Sequence, residues 1–326
     1  MQTYNEADIK NLIRNTILNR PDDVHKGSMG TLLSICGSYG MPGAAIFAGR
    51  AATRCGIGML KMPVPTSIYP ICASNNLVAL YYSLLQTENG TFRKEDLNFL
   101  LNMQADKSNG VLIGCGLSVC YDTKVIVKSF IEYCEKPMLL DADALNCICD
   151  EPEILLKAKA PVIITPHPGE MARLIKSSAQ EVNAARIEIA TAFAQKYNVI
   201  TVLKGPGTVV ASPDDRYYIN STGNSGMAMG GSGDVLAGMT ASILAQGNPP
   251  YESAVAGVYL HGLAGDIAAE KFGKTSMIPT DIIDCIHLAI KQCEHPTYEI
   301  SRNIEKDIIK NGKKHKRKLL PFFRSK

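Results

Sequence analysis

The chain has 326 residues, 46% hydrophobic and 20% charged, an ordinary globular composition. A formal net charge of +3 is too small to make nucleic acid the partner of the whole molecule. No apolar run reaches the roughly 18 residues of a spanning helix, and the acidic N-terminus lacks the apolar core of a secretory signal, so a cytoplasmic protein with no membrane partner is expected.

In chain order, Ala7–Leu18 reads as a helix closed by Pro21. Thr31–Cys36 is a short buried strand running into a glycine-rich turn. In the segment 42–58, small residues recur at helical spacing, so a helix packed closely on a sheet is expected there, ended by Gly56 and Gly58. The run MLKMPVP then starts another strand. Gly110–Cys115, Met138–Asp141, Pro161–Thr165 and Val199–Leu203 are further apolar strands, each followed by a helical segment or a turn. Thr208–Ser212 and Arg216–Asn220, joined by PDD, break this rhythm as a hairpin at a sheet edge. Three helices follow: VLAGMTASILAQG, a second ending in HGLAGDIAAEKFG, and PTDIIDCIHLAIKQC with Thr280 as its N-cap. Strands alternating with helices imply an α/β fold, a central, mostly parallel sheet with helices on both faces. One domain is expected over residues 1–300, with a basic tail over 301–326. That tail reads as a solvated terminus or as a patch for an anionic surface.

The ten cysteines are scattered and form no CxxC pair, which fits reduced, mostly buried thiols. No metal-ligating set is expected among the cysteines and histidines.

In a parallel sheet, ligands bind beyond the carboxyl ends of the strands. The distinctive segments fall there: Gly114–Leu117, Asp141–Asn146, Thr165–Glu170 and Lys204–Thr208. The strongest is Gly223–Gly238, GNSGMAMGGSGDVLAG. Its glycines allow close backbone approach, and the helix that follows turns its free N–H groups and positive dipole end toward the same space. Asp234, in the first turn, is placed to take a proton from a substrate hydroxyl while those N–H groups hold a phosphoryl group. The bland alternative is a carboxylate that merely matches the helix dipole. Lys204 ends a buried strand within reach of phosphate, with Gly205, Pro206, Gly207 and Thr208 forming a turn around it. His167 sits between two prolines as a ligand contact or a structural histidine. Asp141, Asp143 and Asn146 read as ligand or hydrated-magnesium contacts, with Asp143 equally able to cap a helix. Glu170 reads as a cap or an ion-pair partner.

The strings KGSMGTLLSICGS, PGAAIFAGRAATRCGIG, GCGL, LDADALN, ITPHPGEMARL, LKGPGTVV, GMAMGGSGDVLAG and HGLAGDIAAE, in this order over about residues 24–290, resemble the ADP- or ATP-dependent NAD(P)H-hydrate dehydratases. The resemblance implies a three-layer ribokinase-like sandwich and a repair reaction. Hydrated NADH or NADPH is phosphorylated on its ring hydroxyl, and loss of phosphate restores the double bond. ADP, expected over ATP, would give AMP. The resemblance makes Asp234 the catalytic base. It places Ala45 (or Ala44), Gly116, His167 and Asp234 at the hydrate, where Asn146 is expected as a further ligand contact, and Lys204–Thr208 with Gly233 at the nucleotide. Magnesium is expected on the nucleotide phosphates. The chain begins too close to KGSMG to carry the epimerase domain of many relatives, so a separate epimerase and a homo-oligomer are expected. Ser225 and Met229 stand where relatives carry Pro and Thr. Two alternatives stay open: a kinase of the same fold acting on a vitamin precursor or sugar alcohol, and a nucleotide sensor without catalysis.

Overall fold

The computed structural model describes residues 4–18 and 20–294. The basic segment 301–326 lies outside them. Nine strands form one sheet in the order β3-β2-β1-β4-β5-β6-β7-β8-β9. They are β1 Thr31–Ile35, β2 Met59–Pro65, β3 Leu80–Leu84, β4 Gly110–Ile113, β5 Met138–Leu140, β6 Val162–Ile164, β7 Ile200–Leu203, β8 Val209–Ala211 and β9 Tyr217–Ile219. β1 to β7 run parallel. β8 and β9 are the expected antiparallel hairpin at the edge.

Successive strand residues serve opposite faces, as the twofold period of a strand requires. Leu32, Leu112, Leu139 and Ile163 enter one core; their neighbours Leu33, Val111, Ile113, Met138, Leu140, Val162 and Ile164 enter the other. With both faces covered, the central strands read as continuous apolar runs. The helices are α1 Glu6–Thr16, α2 Pro42–Arg54, α3 Tyr69–Asn75, α4 Leu97–Ala105, α5 Tyr121–Tyr133, α6 Asp143–Ile148, α7 Pro168–Ile175, α8 Ala179–Ala184, α9 Arg186–Tyr197, α10 Ser232–Ala245, α11 Pro250–Phe272 and α12 Pro279–Glu294. α1, α2, α3, α10, α11 and α12 contribute to the first core, and α4 to α9 to the second. None of the described helices is long and apolar enough to cross a membrane.

The small residues of α2 are explained by α10. A Cβ at Gly238 would fall 2.1 Å from the Ala48 carbonyl oxygen, so the two helices touch backbone to backbone. Two expectations need correcting. Thr280 does not cap α12: Pro279 opens the helix, and Asp281 accepts a hydrogen bond from the Ile278 N–H at 2.9 Å. The fixed φ of proline suits the first helical position, where no N–H is needed. The helical segment expected directly after the strand Gly110–Cys115 starts only at Tyr121, because Ser118 adopts a left-handed φ of 64°. Eight of the ten cysteines are buried.

Candidate active site

The carboxyl ends of β4, β5, β6 and β7 bring Cys115, Asp141, Thr165 and Lys204 together, and Asp141 is the hub. It is 1% exposed. Its Oδ1 accepts hydrogen bonds from Thr165 Oγ1 at 2.7 Å and from Lys204 Nζ at 2.7 Å, while Oδ2 accepts from the Cys115 thiol at 3.5 Å. Glu170 adds a second carboxylate 3.7 Å from the ammonium. Burial alone would push Lys204 down, but Asp141 and Glu170 outweigh it and hold the ammonium firmly charged. Burial pushes Glu170 up, against the pull of Lys204.

Helix α10 begins directly over this cluster. Gly231 precedes it with φ 96°, and a Cβ there would lie 2.7 Å from the Phe47 ring and 3.0 Å from Pro279, so only glycine fits. The Lys204 ammonium lies 3.5 Å from where a Gly233 side chain would start. Lysine charge and first-turn amides therefore share one space, as an anion site requires. Asp234 stands beside them. Burial, and then repulsion from Asp141, push its carboxyl up to about 7, against the Cys115 thiol and Lys204; Asp143 adds to the rise. A carboxylate poised there exchanges a proton near neutral pH.

The Gly-rich loop is tethered by α11. Asp266 Oδ2 accepts from the Gly223 N–H at 2.8 Å and Oδ1 from Asn224 Nδ2 at 2.9 Å. Gly262 and Gly265 leave room for the loop, since a Cβ on either would fall 2.2 Å from Thr222 Oγ1 or 2.3 Å from Met227 Sδ. Beneath the start of α10, His261 Nε2 lies 3.4 Å from Ser232 Oγ. Burial pushes this imidazole down to about 4, so it is neutral.

The turn after β7 is shaped by glycine. Gly205 has φ 142° and Gly207 φ 62°. Gly205, Pro206 and Gly207 are exposed, and Thr208 Oγ1 donates to the Gly205 carbonyl at 3.0 Å. Arg186 closes the turn, donating from Nη2 to the Leu203 carbonyl at 2.9 Å and to the Gly207 carbonyl at 3.4 Å.

On the other rim, Gly116 (φ 62°) faces the start of α2, where a Cβ would lie 2.7 Å from Ala44 Cβ. Ala45 is fully buried, against Gly37 beyond the end of β1, and Ala44 is the α2 residue on the Gly116 side. One residue rotates a helix by 100°, enough to exchange the two. Asp143 accepts from the Ser118 N–H at 2.8 Å instead of capping its own helix. Asn146 Nδ2 donates to Asp143 at 3.3 Å, and its Oδ1 accepts from Arg173 Nε at 3.0 Å.

His167 caps α7: Nδ1 accepts from the Gly169 and Glu170 N–H groups, and Glu170 accepts from the His167 N–H at 2.7 Å. The cap leaves the ring half exposed, with Nε2 3.4 Å from Glu170 Oε1. Histidine thus stands where Ser, Thr, Asp or Asn is usual, and Glu170 is both cap and ion-pair partner.

Cys115, Asp141 and Asp234 have ligating atoms within 4.8 Å of one another, a grouping not legible in the spacing of the sequence. It suits no all-protein magnesium cage, because a hard cation wants oxygen, one of the three groups is a thiol, and both Asp141 oxygens are already engaged. A magnesium ion carried by phosphates, keeping its waters beside one carboxylate, fits better. A surface concavity of about 510 Å³ is lined by Pro161, Asn198, Pro249 and Tyr251, at the opposite, amino-terminal end of the strands. Parallel-sheet chemistry does not occur there.

Comparison with known proteins bears on this geometry. The family model described as NAD(P)H-hydrate dehydratase matches residues 32–288. A "Bifunctional NAD(P)H-hydrate repair enzyme Nnr" of Moorella thermoacetica is 38% identical over 281 residues, 86% of this chain and 53% of the relative, so the chain spans about half the length of that protein. An "ADP-dependent (S)-NAD(P)H-hydrate dehydratase" of Neisseria meningitidis is 36% identical over 257 residues, 78% of this chain and 82% of the relative. Among solved structures, the ADP/ATP-dependent NAD(P)H-hydrate dehydratase of Bacillus subtilis, co-crystallised with ATP/Mg2+, superimposes with a TM-score of 0.73 at 29% identity, covering 87% of this chain and 97% of that one.

Proposed function

The chain belongs to the NAD(P)H-hydrate dehydratase family, and from that premise we propose that it is an ADP-dependent (S)-NAD(P)H-hydrate dehydratase, a hydro-lyase that repairs hydrated NADH and NADPH. The observation that carries this reading is the position of Asp234, a carboxyl raised to about 7 beside a charged lysine at the start of a helix.

The hydrate's ring hydroxyl approaches Asp234, which takes its proton as the oxygen attacks the terminal phosphoryl group of ADP. The new O–P bond forms as the bond to AMP breaks. The first-turn amides of α10, with Gly233 among them, and the Lys204 ammonium steady the charge on the transferring group. Phosphate then leaves the ring with the C–O bonding pair, and the neighbouring ring carbon gives up a proton as the double bond returns. Asp141 keeps Lys204 fixed throughout, with Thr165 fixing Asp141 in turn. Magnesium bound with the nucleotide would neutralise phosphate charge, and Asp143, whose charge is felt at Asp234, is a carboxylate that could hold its waters.

In this reading Ala44, Gly116, Asn146 and His167 line the hydrate side. Lys204, Gly205, Pro206, Gly207 and Thr208 form the nucleotide turn. Asn146 acts together with Arg173, and His167 presents only its Nε2 edge. A homo-oligomer, a functional link to an epimerase for the other epimer, and one catalytic domain over 1–300 followed by a basic segment complete the proposal. The test is incubation of purified protein with hydrated NADH, magnesium and either ADP or ATP. Return of the reduced-nicotinamide absorbance, faster with ADP, is the expected result. No return with either nucleotide rejects the proposal, and a stable phosphorylated product indicates a kinase instead.

A further inference from the structure

Arg186 carries a charge that the described residues do not balance. It forms no ion pair with a carboxylate among them. Its Nη2 contacts are both carbonyls, of Leu203 and Gly207, and its Nε is shielded from solvent without a partner. It also opens α9, where the positive end of the helix dipole disfavours a cation. Local structure thus argues against arginine three times over, since a half-buried, unpaired cation costs stability wherever it is placed.

What this placement achieves is control of one turn. The guanidinium lies against Gly205, where a Cβ would fall 2.3 Å from Nη1, and it ties the two ends of Leu203–Gly207 together. That turn carries Lys204. We infer that Arg186 is the positioning residue of the Lys204–Thr208 turn, and that the phosphates of an adenine nucleotide supply the counter-charge it lacks. The inference rests on reading this turn as the nucleotide site. Arginine suits the place better than lysine because a half-buried guanidinium keeps its charge, where a buried ammonium readily gives up its proton.

The test uses ADP with the full-length protein and the variants Arg186→Gln and Arg186→Lys. For Arg186→Gln, the Kd for ADP is expected to rise roughly tenfold, in keeping with a lost charge-assisted contact. The KM for the hydrate should stay unchanged. The Tm of the nucleotide-free protein should hold or rise, because an unbalanced charge has gone. Arg186→Lys should recover part of the ADP affinity. A merely structural clamp gives the opposite pattern, a fall in Tm with ADP affinity intact, and that result overturns the inference. Where Arg186→Gln does not fold, Arg186→Lys decides: weaker ADP binding at unchanged hydrate KM supports the inference, and binding equal to wild type overturns it. Wild-type protein that binds no adenine nucleotide sinks the nucleotide reading itself, a failure distinct from an indifferent Arg186.

Discussion

Lys204 Nζ lies 2.7 Å from Asp141 Oδ1, joining two strand ends 63 residues apart in sequence. The pair fixes where the positive charge of the site can be. It also means that lysine and carboxylates depend on one another. Lys204→Met would leave Asp141 and Glu170 buried without their cation. Breaking a buried pair from one side costs about 3–5 kcal/mol. The variant should therefore lose stability in urea by an amount of that order, and turnover with it. Unchanged stability would show that the carboxylates are satisfied without the lysine.

The Asp234 carboxyl, raised to about 7, predicts a pH profile. A base works only when ionised, so kcat/KM for the hydrate should rise with pH through a single step near 7 and level off above it. A flat profile between about pH 5 and 9 would contradict Asp234 as the base.

The same shift has a consequence for stability. The folded state holds this proton more tightly than the unfolded chain, whose aspartate titrates at about 3.9. The stabilisation from this group is therefore complete below about pH 4 and is lost as pH rises to about 7. Asp234→Asn removes the penalty of a buried charge. At about pH 8 it should melt measurably above wild type, since the rise from about 3.9 to about 7 corresponds to at most about 4 kcal/mol. At about pH 4 the gain should vanish. Melting curves across pH check both ends, and an Asn variant that is less stable at the higher pH would count against the buried charge.

His261 predicts acid sensitivity of opposite origin. Its folded imidazole, lowered to about 4 by burial, stays neutral where the unfolded one, near 6.5, takes a proton. Stability should fall as pH drops from about 6.5 to 4, by up to about 3 kcal/mol, and then level off. In His261→Gln this slope should flatten. An equal slope in the variant would place the acid sensitivity elsewhere.

The central strands and the edge hairpin were legible because both cover simple patterns: apolar runs ended by glycine or proline, and a turn between two short β-prone stretches. β3 was not read. Its residues, LYYSL, lie at the sheet edge and are only half buried or exposed, so they show neither a continuous run nor an alternation. The Gly-rich loop was readable because Gly231 needs a conformation and a closeness that other residues resist. Its anchor was not, since Asp266 stands 43 residues from Gly223 and nothing local marks it as the partner. Arg186 was missed for the same reason, as an ordinary charged residue at the head of an amphipathic segment. His167 was visible as an unusual residue, but its capping role depends on which ring nitrogen meets the helix. The choice between Ala45 and Ala44 is a matter of helix phase, which motif spacing does not resolve.

The most direct measurement of the central claim compares Asp234→Asn with wild type in hydrate-dependent phosphate release from ADP. Wild type should release AMP and phosphate in amounts equal to the reduced nicotinamide recovered. Asp234→Asn should bind ADP as well as wild type but turn over at least about 100-fold more slowly, the scale of a lost general base. Turnover at the wild-type rate by a folded, ADP-binding Asp234→Asn protein would contradict the account.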